Sequence, residues 1–580
     1  MRLKLFFSLV FLSSFVYASH NRGGYINYYN IGSNQYMFRV YTWSNSANTA
    51  SDRCSLILHI DCSDTMTCVR SNGSGPCPSG GAGTDGVLLI PGIQENIYTS
   101  QTPYLLNPGV HIFTVLDPNR EAGIINLGGS SSQNLAFAVI DTFYVYNTTG
   151  FMNNSVLINY RPIDVVCAGQ QFNYNAGMVD PDNDSLDYSI VKSFEDDPNS
   201  PGGCVQQIAS EYFPAGLTVD KYTGLLSWNN VSSNQGDYDI SILIREYKTD
   251  HTLCKRRLVS STVFDVLLRV IPCANSNVSF GGVPQNACVT AGTNYLLQLS
   301  SSGSGGITSP VNISAVGLPI TMAGIGTNAT FASASSSTTA SGNFYWGTSC
   351  LAVQKGEYPV TFRTFDGALP AKANYVTQFI KIISPPPTNL LVSTVGNNAS
   401  LSWNAPLNCG QTSGNTLYAY DIYRIDSCLN YVPASCQANA PQNFTYAGTT
   451  LASSTTYSDT NIPTGPRTYV VVARFSDCAT SVSSSASCVL TGIENNYLNE
   501  NISVWPNPAN GFLYLTSSLP GENNLKIAFI NSLGETVFSK TETLSGDAKL
   551  KYDVSQLPKG IYFIRIISGN KSLTKKISIE

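Results

Sequence analysis

Charge is what this chain has least of. Asp, Glu, Lys and Arg together make only 12% of its 580 residues, about half the usual share. The formal net charge is −5 and no long basic block occurs, which argues against nucleic acid as a partner. Histidine is scarcer still: His20, His59, His111 and His251 are all there is. With no C-x-x-C pair either, a structural zinc site has almost no ligand set to draw on. Long helical periodicity is rare. After the first twenty residues no run approaches the roughly 20 apolar residues that a transmembrane helix needs. Enzyme signatures are missing as well. H-E-x-x-H, the G-x-S-x-G elbow and the P-loop do not occur, and no dinucleotide fingerprint is set between a strand and a long helical pattern.

Ser, Thr, Asn, Gly and Tyr fill the surface instead, as in exported β-proteins whose hydroxyls and amides solvate open sheet faces. The first residues, MRLKLFFSLVFLSSFVYASH, carry Arg2 and Lys4, then an apolar run from Leu5 to Val16, then small residues before a cleavage point after Ala18. That order predicts a signal peptide over 1–18. Fifteen cysteines follow, and in an exported chain they are read first as disulfides. They fall into groups: Cys54, Cys62, Cys68 and Cys77; Cys167, Cys204, Cys254 and Cys273; Cys288 and Cys350; Cys409, Cys428, Cys436, Cys478 and Cys488. The even groups predict bridges inside each domain. The odd fourth group predicts one spare thiol there.

Alternating and β-branched runs recur along the chain, among them YMFRVYTW (36–43), LAFAVIDTFYVY (135–146), YDISILIREY (238–247) and YVVVAR (469–474). Gly, Pro and Asn punctuate them. The fold class expected is all-β: tandem β-sandwiches, Ig-like and fibronectin type III-like, with a smaller sandwich at the C-terminus. The units expected are 19–162, 163–273, 274–384, 385–490 and 497–580. The second and third read as repeats. Ser227-Trp228 precedes Gly236-Asp237-Tyr238, and Tyr345-Trp346 precedes Gly356-Glu357-Tyr358. Pro385, Pro386 and Pro387 make a stiff linker without backbone donors.

The unit after that linker carries Ala399-Ser400-Leu401-Ser402-Trp403-Asn404-Ala405-Pro406, then Tyr420-Asp421-Ile422-Tyr423-Arg424, then Tyr457-Ser458-Asp459 before Tyr469. It resembles a fibronectin type III domain. The tail reads Val504-Trp505-Pro506-Asn507-Pro508, Leu533-Gly534-Glu535 and Leu557-Pro558-Lys559-Gly560-Ile561-Tyr562. Together these blocks resemble the C-terminal sorting domain of type IX (Por) secretion substrates of Bacteroidetes. The resemblance implies passage across the outer membrane by the type IX machinery, acting as a partner of residues 497–580. The cargo would then be held at the cell surface or released.

The chemistry of the cargo concentrates in Asp180-Pro181-Asp182-Asn183-Asp184. Closely spaced carboxylates repel one another and gain from a shared hard cation. Calcium accepts about six to eight oxygens and tolerates irregular loops. Asp180, Asp182 and Asp184 are therefore the candidate calcium ligands, with Glu246 as a further one; the other reading is a solvated Asx turn. Together with Phe213-Pro214-Ala215-Gly216-Leu217 and Gly224-Leu225-Leu226-Ser227-Trp228, this loop resembles cadherin-like and related Ig modules of bacterial surface proteins. The stretch Ser19-His20-Asn21-Arg22-Gly23-Gly24-Tyr25 and the later Asp117-Pro118-Asn119-Arg120 resemble large Bacteroidetes surface proteins with Ig-like repeats, which bring no biochemical activity with them. The function expected is non-enzymatic: adhesion, surface-layer formation or gliding-related contact, with a surface glycan or protein as ligand. The alternative is a secreted hydrolase whose catalytic site lies within 19–162.

Overall fold

The computed structural model describes residues 21–580 apart from short internal stretches, the longest 74–85. The expected signal peptide, Cys77 and His251 lie outside the described residues. The chain is all-β, as the alternating runs require. Among the described residues the helical turns are few and short, the longest being Asn496–Asn501. Among the described residues no helix is long and apolar enough to cross a membrane.

Period two is visible directly in burial. Along Gln35–Asn45 the side chains of Tyr36, Phe38 and Val40 are buried while the intervening ones are partly exposed, as a strand with one covered face demands. The strands Asn21–Gly32 and Gln35–Asn45 form a hairpin whose turn residues Ser33 and Asn34 take left-handed φ of 52° and 56°.

The expected break at 162/163 does not separate two sheets. The strand Lys255–Ile271 pairs with the first strand, Gly23 opposite Val266, and with Phe137–Val145, Ser261 opposite Thr142. Strands from both expected units, between residues 21 and 271, thereby share one 15-stranded sheet. Tyr25, Trp43 and Val156 sit in one apolar cluster with Trp228, Ile242 and Val266. A buried ionic group ties the same two halves. The Arg120 guanidinium donates from Nη1 to Asp239 Oδ2 at 2.5 Å and from Nη2 to Asp265 Oδ2 at 3.0 Å. Both carboxylates come from the second expected unit, and Arg120 is 1% exposed.

The repeat between the second and third units is geometric. Trp228 meets Tyr238 edge-on with ring centroids 5.1 Å apart, and Trp346 meets Tyr358 the same way at 5.1 Å. Each indole N–H donates to a backbone carbonyl, Ala215 in one and Thr327 in the other. In each unit a short early strand runs parallel to the last: Val165–Cys167 beside Lys255–Ile271, and Ala287–Thr290 beside Ala373–Ile383. The fourth unit packs Trp403 on Tyr420, again with centroids 5.1 Å apart, and its core is continuous with that of the third.

The disulfides correct the expected grouping. Cys62 bonds Cys204, Cys254 bonds Cys478, Cys288 bonds Cys436 and Cys350 bonds Cys409. All four cross between expected units. Cys167–Cys273 and Cys428–Cys488 stay within one. The spare thiol is Cys68, buried in the first unit, and not a member of the fourth group. Parity within a sequence group fails because each unit packs on its neighbours closely enough for bridges to span the seam.

Residues 502–579 form a seven-stranded sheet of their own, from Thr536–Ser545 at one edge to Ala548–Asp553 at the other. Its core of Leu513, Leu515, Ile527, Phe529, Ile564 and Ile566 is separate from the rest. Gly534 takes φ +87° in the hairpin turn after Asn531, a conformation that favours glycine.

Candidate functional site

The acidic loop joins the strand Met178–Val179 to the strand Ser185–Val191. Its fold follows from its own side chains. Asp180 Oδ1 accepts the backbone N–H of Asp182 at 2.9 Å and of Asp184 at 2.8 Å. Asn183 takes φ +64°, which asparagine tolerates. The turn brings Asp180, Asp182 and Asp184 together, with one carboxylate oxygen of each within 4.8 Å of the others.

The turn is buried at one end and partly exposed at Asp182 and Asp184. Asp180 is 2% exposed. Its Oδ2 and the Oδ2 of Asp184 are buried with no hydrogen-bond donor. Lys248 Nζ lies 3.7 Å from Asp184 Oδ2, one positive charge against three carboxyl groups. Asp182 accepts from the Asn154 backbone N–H at 2.5 Å and from its Nδ2 at 2.9 Å. Burial pushes the Asp180 carboxyl well above its usual range, and the charges of Glu246 and Asp184 add to the effect. Burial also pushes Asp184 up to about 7, with Lys248 opposing and Asp182 adding. An all-oxygen donor set with unsatisfied buried oxygens and too little positive charge fits a hard divalent cation.

Glu246 behaves differently. It is fully buried, but its Oε1 accepts the Val156 N–H at 2.6 Å and its Oε2 accepts Asn153 Nδ2 at 2.7 Å. Both oxygens are already used inside the protein. The loop also reaches the third unit: Asn183 Nδ2 donates to Gln354 Oε1, and Val179 packs in the third unit's core.

Among the described residues of the first unit, Asp61, Asp64, Glu95, Asp117 and Asp141 are dispersed and each engages a partner. Glu95 takes Arg161 in a two-pronged pair at 2.9 and 2.7 Å, and Asp117 takes Arg53 at 2.6 and 3.1 Å. Asp61 meets His111 Nδ1 at 2.8 Å, and Asp64 accepts the Tyr104 hydroxyl at 2.8 Å. Asp141 is buried against Thr262 Oγ1 at 2.9 Å, and burial raises its carboxyl to about 8. The Cys68 thiol is pushed up to about 12 by burial, so it is protonated at neutral pH.

A second candidate surface escaped the reading of motifs. Residues 274–354 contain no Asp, Glu, Lys or Arg at all, and that gap was the available signal. They build a four-stranded sheet from Ser279–Phe280, Asn294–Ser302, Thr339–Gly347 and Thr330–Ser335. Its outer face alternates out of the core, so Leu296, Gln298 and Ser300 stand opposite Tyr345, Asn343 and Ser341. Tyr345 is 43% exposed. Among the described residues, Gln298, Ser300, Ser341 and Asn343 spend no side-chain hydrogen bond on the protein. At the serine end the face opens into a trough of about 500 Å³ between Gly281, Ser302, Ala334 and Thr339.

Comparison with known proteins places the C-terminal unit. Residues 503–580 match the family described as the secretion system C-terminal sorting domain, the Por secretion tail. That unit is a type IX sorting domain, and it implies the Por secretion machinery as a partner and the cell surface or extracellular space as destination. No curated protein sequence matches the chain. Among solved structures, a two-domain fibronectin type III segment of chicken tenascin aligns at 15% identity over 33% of this chain and 98% of that one, TM-score 0.16. The FN1–FN3 domains of chicken CNTN1 align at 10% identity over 61% and 94%, TM-score 0.16. Latent PorU from Porphyromonas gingivalis aligns at 9% identity over 54% of this chain and 35% of that one, TM-score 0.13.

Proposed function

We propose that this exported protein is a non-enzymatic adhesive arm that binds a neutral glycan through the uncharged sheet face of its third unit. The observation that carries the reading is that face. Hydroxyls and carboxamides stand on neighbouring strands about 4.8 Å apart, unengaged by the protein, with an exposed tyrosine ring at one end. A sugar offers the complementary groups: hydroxyls for the amides and serines, and a C–H face for the ring. With no charge to desolvate, contact with a neutral surface costs little. The engaged carboxylates and the protonated Cys68 thiol of the first unit support binding over the alternative of a hydrolase in 19–162. Calcium held by Asp180, Asp182 and Asp184 would brace the second unit against the third beside Gln354.

The test is a glycan-array and cell-binding screen with the mature chain, alongside activity profiling on polysaccharides and peptides. Neutral glycans should bind with little dependence on salt. Ser341→Arg and Tyr345→Ala should each weaken that binding at least tenfold without changing the melting temperature. Robust turnover of any substrate would sink the adhesive reading.

A further inference from the structure

The bridges that cross between units are not scattered. The binding-face strand Asn294–Ser302 follows closely after Cys288, and the neighbouring strand Thr339–Gly347 ends just before Cys350. Cys288 is bonded to Cys436 and Cys350 to Cys409, both in the fourth unit. From there Cys428–Cys488 carries the covalent path to residue 488, shortly before the sorting domain.

We infer that these three bridges make the chain a tension-bearing tether, in which a load taken on the third unit's face reaches the cell-proximal end through a short covalent route that leaves most of the shared core off the loaded path. This rests on the adhesive reading of that face. From Ser341 the route runs along 341–350, crosses to Cys409, runs along 409–428, crosses to Cys488 and leaves at 491. Residues 351–408 and 429–487 are not on it. They hold the central strands Tyr358–Phe365, Ala373–Ile383 and Gly465–Phe475, whose side chains fill the shared core of the two units. Load therefore cannot draw these strands out while the bridges stand. A second route exists for the same face. From Ser341 back to Cys288, across to Cys436, along 436–428 and across to Cys488 is longer, but it still bypasses most of both units. Cys254–Cys478 adds a sideways tie from the second unit to the fourth.

At about 3.6 Å per extended residue, the three cases differ in length. The first route pays out at most about 120 Å between Ser341 and residue 491, the second about 240 Å, and the unbridged chain about 540 Å. The experiment is single-molecule stretching of the full chain between a bio-orthogonal handle replacing Ser341 and a second handle at Glu580. The sorting domain's own unfolding step appears in every trace and serves as the internal ruler. Beyond that step, the span from Ser341 to residue 491 should reach a limiting length of about 120 Å in the oxidised chain, about 240 Å in the Cys350→Ser/Cys409→Ser chain and about 540 Å in the reduced chain. An oxidised chain that pays out as far as the reduced one overturns the tether. A double variant that still stops at 120 Å, or runs on to 540 Å, overturns the routes assigned here. Because the handle replaces the ligand, failure of glycan binding would leave these lengths untouched, and failure of these lengths would leave glycan binding untouched.

Discussion

Arg120 and Asp239 lie 119 positions apart in sequence and 2.5 Å apart in space, with neither side chain more than 1% exposed. Asp265 completes the group from the neighbouring strand, 3.0 Å away. One guanidinium here faces two buried carboxylates, and an oxygen of each, Oδ1, has no donor. Arg120→Met should therefore cost about 3–5 kcal/mol, because it leaves uncompensated charge in the interior. Adding Asp239→Asn and Asp265→Asn should recover part of the loss. Denaturant unfolding of the three chains checks both statements.

Asp141 predicts a pH dependence. Its carboxyl titrates at about 8 in the folded chain because burial disfavours the charge, against about 4 when unfolded. The folded state thus holds a proton that the unfolded chain has lost, so unfolding releases it. The contribution of this residue is fully present below about pH 4 and declines as pH rises toward 8. Asp141→Asn, which keeps an acceptor for Thr262, should leave stability at pH 4 unchanged and raise it by about 1–3 kcal/mol at pH 8. Melting curves across that range give the answer.

Calcium at the acidic loop predicts a response to chelation. Binding to the folded state alone stabilises by mass action, about 2.7 kcal/mol at a hundredfold excess over the dissociation constant. Removing the ion should lower the melting temperature by about 2–5 °C, and re-addition should restore it. Asp180→Asn combined with Asp184→Asn should abolish the response. Unchanged melting on chelation of the unaltered chain would refute the site.

Deleting 497–580 should stop surface delivery without unfolding the cargo, since the sorting domain's core is built from its own residues. Protease shaving of intact cells and fractionation read this out. Continued surface exposure of the truncated chain would contradict the assignment.

What was legible in the sequence was local. Trp228 and Trp346, each followed by a Gly–acid–Tyr step, announced paired aromatic cores because a strand, a loop and the next strand lie within about twenty residues. The acidic turn was legible for the same reason: Asp180 caps the N–H groups of Asp182 and Asp184, its immediate neighbours. Long-range partners were not. Nothing near Asn21–Gly32 marks it as the neighbour of Lys255–Ile271, and nothing near Cys254 points to Cys478. Glu246 looked available because nothing in its strand shows what occupies it; the Asn153 and Val156 donors that do so come from a loop about ninety positions away. The binding face was missed because its signal is an absence of charge rather than a motif.

The crossing bridges also set a problem of timing. Cys62 leaves the secretion channel well before Cys204, its partner 142 positions later, if the chain is threaded from its N-terminus. Cys68, Cys77 and Cys167 all pass in between. A chain with such distant pairings closes its native loops slowly, while thiols nearby in sequence meet quickly. Maturation outside the inner membrane thus calls for thiol–disulfide exchange that undoes early local pairs. The protein's yield should depend on a disulfide isomerase more than on the oxidant that first closes its bridges.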